Sequence, residues 1–141
     1  MRFLAIITTG LSLIAPGAHA FELLNKIGLP KAEYFVVQQI YSGWWIAGLL
    51  LPLAFLANAG NAISLRADKT AMALSLAAAA LIALNLVIFV LFTQPANAAT
   101  QDWTVQPENW ETLRAQWEYS HAVNAAVNFL AFCCATLAST R

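Results

Sequence analysis

Between Ala71 and Phe92 the chain runs 22 residues with only Ser75 and Asn85 polar. That is close to the roughly 20 apolar residues a helix needs to cross a bilayer. Three further apolar segments accompany it, ending near Ala20, Ile63 and Ala138, in a sequence that is 60% hydrophobic and 10% charged. A soluble domain carries about 25% charged residues. In hydrocarbon no water is available to bond exposed N–H and C=O groups, so each segment must satisfy its own backbone as a helix. The expectation is an all-α protein: a four-helix transmembrane bundle, up-down-up-down, forming one integral membrane domain over 1–141. Its spans fall at about 3–20, 41–63, 71–92 and 119–138.

The first segment has two readings. Arg2, a short hydrophobic run and Ala18-His19-Ala20 resemble a cleaved signal peptide. Alternatively the segment is a retained first helix, continued out of the bilayer by Phe21 to Leu24, with Pro16 only a local kink. Retention is the favoured reading. In the second span Trp44 and Trp45 suit the headgroup level, and Lys31 to Gln39 reads as an interfacial lead-in. Alanines along the third span permit close helix approach.

Pro107 suits the first turn of a helix and Glu108 and Glu111 its positive dipole end, which predicts a last helix from about Pro107 to Ala138. Such a helix is roughly 48 Å long against a hydrocarbon core of about 30 Å, so residues 107–118 should extend beyond the bilayer on the outer side. With four spans, Arg2, Arg66, Lys69 and Arg141 share one side with Asp68, and Lys26, Lys31 and Arg114 the other with all five glutamates and Asp102. The positive-inside rule then places both termini in the cytoplasm and the protein in the cell inner membrane.

Zero formal net charge, from seven basic and seven acidic residues, leaves no basic footprint for nucleic acid. Membrane lipid is the expected surroundings. Cys133 and Cys134 are adjacent in an apolar run, where a vicinal disulfide would be strained, and read as small hydrophobes. No CxxC, phosphate-binding glycine loop, HExxH or GxSxG pattern is present.

Polar chemistry concentrates in Pro107 to Asn128, where Trp110-Glu111 and Trp117-Glu118 repeat at seven residues and lead into His121. On a helix Arg114, Glu118 and His121 share one face, with Trp117, Asn124 and Asn128 beside that line. In the four-span arrangement His19 ends helix one at the same membrane edge. Glu22 follows His19 by three residues and Glu118 precedes His121 by three, giving two His/Glu pairs of the size used in bundle-core sites. The candidate catalytic residues are therefore His121, His19, Glu118, Arg114 and Glu22, with Trp117, Asn124, Gln39, Tyr41 and Asn97 as substrate-binding candidates. Plainer readings stand beside these. His19 suits an interfacial side chain, and His121 with Glu118 and Arg114 a structural ion-pair network. Trp103, Trp110 and Trp117 suit an aromatic belt or packing stripe, and Asn124 and Asn128 interhelical hydrogen bonds. A His19 to His121 separation beyond roughly 12 Å would remove any shared site.

These residues resemble the anthrone-oxygenase-like family of small four-helix integral membrane proteins, most of them uncharacterised. The resemblance lies in Ala18-His19 with Glu22-Leu23-Leu24-Asn25-Lys26, Val37-Gln38-Gln39-Ile40-Tyr41 with Trp44-Trp45, Pro95-Ala96-Asn97, and Leu113-Arg114-Ala115-Gln116-Trp117-Glu118-Tyr119-Ser120-His121. It spans nearly the whole chain, and its most specific piece is the run from Arg114 to His121. It implies a retained first helix, because the family's first histidine falls at His19. It also implies oxidation of a lipophilic aromatic or quinone-like substrate by molecular oxygen without bound metal or flavin, with His121 or His19 as general base. Many relatives carry Arg three residues after the final histidine, where this chain has Asn124. A non-enzymatic subunit packing against partner membrane proteins is the alternative, and a metal or haem between His19 and His121 a third. Neither a cofactor nor a specific substrate is assigned by the residues.

Overall fold

The computed structural model describes all residues from Met1 to Arg141. It is wholly helical: α1 Arg2–Ser12, α2 Ile14–Lys26, α3 Lys31–Gln38, α4 Leu50–Ser64, α5 Lys69–Ile88, α6 Gln94–Thr100 and α7 Trp110–Ser139. Four helical stretches are long and apolar enough to cross a membrane, at Arg2–Lys26, Trp44–Ser64, Lys69–Thr100 and Trp110–Ser139. Several boundaries match the sequence expectation within a residue, and the others depart from it for local reasons.

The first span joins α1 and α2 through one tightened turn at Leu13, whose N–H bonds to Gly10 O at 3.2 Å. Pro16 has no N–H for the Ser12 carbonyl, so the regular ladder is interrupted there while the helix continues to Lys26. The second span begins at Trp44 rather than Tyr41. Gly43, at φ 86°, turns the chain between a 3-10 turn at Gln39–Tyr41 and a second at Trp44–Leu49 that leads into α4. Tyr41 thus belongs to the connection. Asp68 caps α5 by accepting from Thr70 N and Ala71 N, and the third span runs on to Thr100, well past Phe92. A π-turn at Phe89–Thr93 accommodates Pro95, which cannot donate to the preceding turn. The last helix starts at Trp110, not Pro107, because the Pro107 carbonyl accepts the Trp110 N–H in a turn and Asn109 takes the cap position.

Burial is reversed relative to a soluble bundle. Large apolar side chains such as Phe21, Leu24, Leu56, Ile63, Val90 and Leu130 are exposed, whereas Thr9, Ser12, Asn58, Asn61, Ser75, Asn85 and Asn128 are buried. Contiguous exposed apolar surface of this kind marks a lipid-facing protein. Buried hydrogen bonds join neighbouring spans in a ring. Asn58 Nδ2 donates to Thr9 Oγ1 at 2.8 Å, Asn61 Nδ2 to Ser75 Oγ at 2.9 Å, and Asn128 Nδ2 to Ser12 Oγ at 3.1 Å, while the Thr93 and Ser120 hydroxyls lie 2.7 Å apart. Asn128 is therefore the interhelical group its position suggested, and Ala71, Ala78 and Ala79 are buried within the bundle. Cys133 and Cys134 are free and half-buried.

Close approach of the first and last spans depends on Gly10, where an added Cβ would sit 3.2 Å from the Phe132 ring. Gly10→Leu should therefore cost about 1–3 kcal/mol by overpacking. Gly48, with nothing within 4 Å of its built Cβ, is the control. Thermal unfolding in detergent should show a lower midpoint for Gly10→Leu and little change for Gly48→Ala; equal midpoints would argue against this contact.

Candidate functional site

His19 is carried by α2 and His121 by α7, and their ring centroids lie 4.3 Å apart. The two rings are in contact, far inside one side-chain reach. Trp117 lies one helical turn before His121 and packs edge-on against both, at 4.7 Å from His19 and 4.3 Å from His121. Tyr41 closes the other side at 4.4 Å from His19, and Trp44 caps it at 5.7 Å. His19 is 3% exposed, and the Nδ1 atoms of both histidines are buried without a hydrogen-bond partner. Orphaned buried polar atoms are uncommon and call for an explanation.

Beside this pair lies a charge cluster centred on Lys26, a residue outside the candidates that the sequence offers. Lys26 is 3% exposed, rare for a lysine. Its Nζ sits 3.2 Å from Glu118 Oε1 and 3.4 Å from Glu22 Oε2, and donates to the Tyr41 hydroxyl at 2.9 Å. The ammonium also lies over the Tyr41 and Trp117 rings, 4.5 and 5.0 Å from their centroids. Position in the last turn of α2 adds the favourable end of the helix dipole. The signal was legible: His19, Glu22 and Lys26 fall at i, i+3 and i+7 on one helix face.

Glu118 is fully buried, with Oε1 receiving Tyr34 Oη–H at 2.9 Å and Oε2 unpartnered. Gln38 in turn donates to the Tyr34 oxygen at 2.9 Å. Tyr34 and Gln38 come from α3, in the segment expected to be only a lead-in, at the same helical spacing of four. Burial, and then the Glu118 carboxylate, push the Tyr34 phenol well above its ordinary range. Tyr41 is pushed up as well, first by burial and then by the hydrogen bond it donates to Glu22. Both phenols are therefore held protonated.

The remaining candidates divide. Asn97 accepts the Trp117 indole N–H at 2.8 Å and so orients the ring against the histidines. Asn124, one turn beyond His121, is 5% exposed with Oδ1 unpartnered. Arg114 shares the helix face of Glu118 but turns elsewhere, donating to Leu29 O at 2.8 Å and stacking 4.5 Å from the Trp110 centroid. The cation paired with Glu118 is therefore Lys26. Gln39 is exposed and donates to Trp103 O at 3.0 Å, securing the loop Gln101–Trp103, whose three residues all have positive φ. That loop buries Trp103 at 4% exposure among Tyr34, Phe35 and Trp117, making this part of the tryptophan series packing rather than an interfacial belt.

The cluster is largely buried, with Glu22 and Trp44 partly exposed at its edge. Grooves of about 470 and 420 Å³ run along α3, lined by Ala32, Phe35, Val36 and neighbours, and neither reaches the histidines. An ion shared by two imidazoles holds their centroids roughly 5–6 Å apart, since each metal–nitrogen bond is about 2.0 Å. At 4.3 Å the rings touch instead, and no three His, Cys, Asp or Glu side chains converge to hold an ion. Compared with protein-family models, curated proteins and solved structures, the chain matches none of them.

Removing one member of a buried ion pair leaves the other uncompensated, at a cost of about 3–5 kcal/mol. Lys26→Met should destabilise the bundle by that amount, and Lys26→Met with Glu118→Gln should recover most of it. Thermal unfolding of the single and double variants tests this; additive losses would mean that the two charges are not coupled.

Proposed function

We propose that this is a multi-pass inner-membrane protein whose four spans alternate up-down-up-down, with both termini cytoplasmic and the start of α7 projecting on the outer side. The bundle's neighbour order supports it. So do the contacts of the first and last spans, where Arg2 meets Ser139, Ser12 meets Asn128 and His19 meets His121. At about 45 Å, a 30-residue α7 exceeds the hydrocarbon core of about 30 Å. The first span is retained in the mature protein, since it supplies His19, Glu22 and Lys26. Intact-mass analysis of protein extracted from membranes should find residues 1–20 present; a mature chain lacking them would dismantle the site.

The proposed activity is oxidation of a lipophilic aromatic, quinone-like compound by dioxygen, in keeping with the resemblance to anthrone-oxygenase-like proteins. The observation that carries this reading is the contact of two imidazoles whose Nδ1 atoms are buried and unpartnered. An imidazole nitrogen there takes the proton from an activated C–H or phenol, and Lys26 one ring layer away favours the anion that results. The substrate carbon then loses two hydrogens and gains one oxygen atom as a carbonyl; the second oxygen atom leaves as water. Trp44, 40% exposed, is the side chain that must swing aside to admit the substrate from the lipid.

Supplied with a hydroxylated anthrone, the purified protein should consume oxygen and form the quinone. His121→Ala and His19→Ala should lower turnover by about 10²-fold or more, with the helical circular dichroism kept. Full activity in either variant would remove the assignment. A non-enzymatic membrane subunit is the second reading, favoured by the ring-to-ring contacts of the cluster. Its mark would be co-purification in a defined complex after mild detergent extraction, through lipid-facing side chains that include the exposed third-span alanines Ala73, Ala80, Ala98 and Ala99.

A further inference from the structure

Two lines of Trp and Tyr rings run from the histidines toward the surface, one starting at Trp117 and the other at Tyr41. One passes from Trp117 to Trp103 at 5.8 Å, to Tyr34 at 5.2 Å and to the half-buried Trp110 at 6.1 Å. The other leaves His19 through Tyr41 at 4.4 Å and reaches Trp44 at 5.2 Å. Indole and phenol are the side-chain rings most readily oxidised by one electron, and rings in contact exchange an electron quickly. Each line contains one tyrosine, and each tyrosine donates its phenolic hydrogen to a carboxylate, Tyr34 to Glu118 at 2.9 Å and Tyr41 to Glu22.

Packing alone accounts for the buried rings but not for the hydroxyls. Phe35, adjacent to Tyr34 and 5% exposed, shows that a plain phenyl is accommodated in the same core. A buried hydroxyl is costly without a partner, and here both partners are carboxylates rather than backbone carbonyls. A tyrosine that loses an electron becomes strongly acidic and holds the radical only if its proton has a nearby acceptor. Glu118 offers that acceptor, with Oε2 still free.

We propose that these rings form a one-electron relay, in which Tyr34 with Glu118 is the resting place of an oxidising equivalent formed beside His19 and His121. The step balances as follows: the Tyr34 O–H bond breaks, its proton passes to the Glu118 carboxylate, and its electron passes through Trp103 and Trp117 to the oxidant. That oxidant is a dioxygen-derived radical. A lipid-soluble quinol at Trp110 returns the electron, releasing its own proton to water and leaving as a semiquinone, and Glu118 returns the proton to Tyr34. Tyr34 is favoured over Tyr41 because its oxygen receives an N–H from the neutral Gln38 amide and its nearest cation, Arg114, stands 5.4 Å from the ring centroid, whereas the Lys26 ammonium lies 4.5 Å from the Tyr41 centroid and donates directly to its oxygen, opposing a positive hole more strongly. The relay rests on the rings and carboxylates, not on which substrate the histidines serve.

The test needs no substrate. Full-length protein in detergent is illuminated with tris(bipyridine)ruthenium(II) and persulfate, which generate a one-electron oxidant, and the trapped radical is read by electron paramagnetic resonance. A Tyr119→Phe background removes the one other tyrosine, which is 56% exposed. A neutral tyrosyl radical should form, should form more slowly in deuterated water, and should be lost in Tyr34→Phe while persisting in Tyr41→Phe. Glu118→Gln, checked for fold by circular dichroism, should also lose it. A tyrosyl signal that survives Tyr34→Phe, or a folded protein giving only tryptophan radicals, would overturn the proposal.

Discussion

Lipid offers no hydrogen bonds, and that absence organises the polar side chains that join the four spans. In water Asn58, Asn61, Ser75 and Asn128 would be surface residues; in hydrocarbon each must find a partner on another helix or remain unsatisfied. The four interhelical hydrogen bonds link first span to second, second to third, third to fourth and fourth to first. Apolar packing between these helices is less selective, because leucine against lipid and leucine against leucine differ little. The polar pairs therefore specify which helices are neighbours and at what height, and small residues such as Gly10, Ala54 and Ala131 let them come close enough.

The same constraint is harsher for charges, and it explains the form of the site. Glu118 has no exposure and cannot remain ionised in isolation there. Lys26 answers it from α2, Tyr34 adds a hydrogen bond from α3, and Glu22 on the partly open side brings a second carboxylate to the same ammonium. Three separate stretches of chain are thereby committed to one point. The aromatic collar of Tyr41, Trp44, Trp103 and Trp117 packs around them. Two histidines in contact inside such a collar are a costly arrangement for mere support of a fold, since alanine and leucine would fill it more cheaply.

Much of the fold was legible because the signals are local and long. Runs such as Ala71 to Phe92 read as spans on length alone, and Asn128 stood out as one of two amides, with Asn124, in an apolar segment. Boundaries were less legible, since they depend on single backbone events. Gly43 with positive φ excluded Tyr41 from the second span, and the Pro107 turn delayed α7 to Trp110. In the site, His19, Glu22, Tyr41, Trp117, Glu118 and His121 are gathered together, whereas Arg114 and Gln39 are drawn away to backbone carbonyls of Leu29 and Trp103. Helical spacing can place Arg114 and Glu118 on one face; a long, flexible guanidinium then goes to whichever acceptor lies in reach.

Taken alone, the sequence determined the number of apolar helices and the two His/Glu spacings, because hydropathy and the 3.6-residue period are properties of contiguous residues. Only the tertiary structure decided that the two imidazoles touch, that Lys26 rather than Arg114 neutralises Glu118, and that α3 folds Tyr34 and Gln38 into the cluster. Those facts join residues more than eighty positions apart in the chain. They follow from how helices settle against one another once each buried polar group seeks its partner, and no local pattern encodes that outcome.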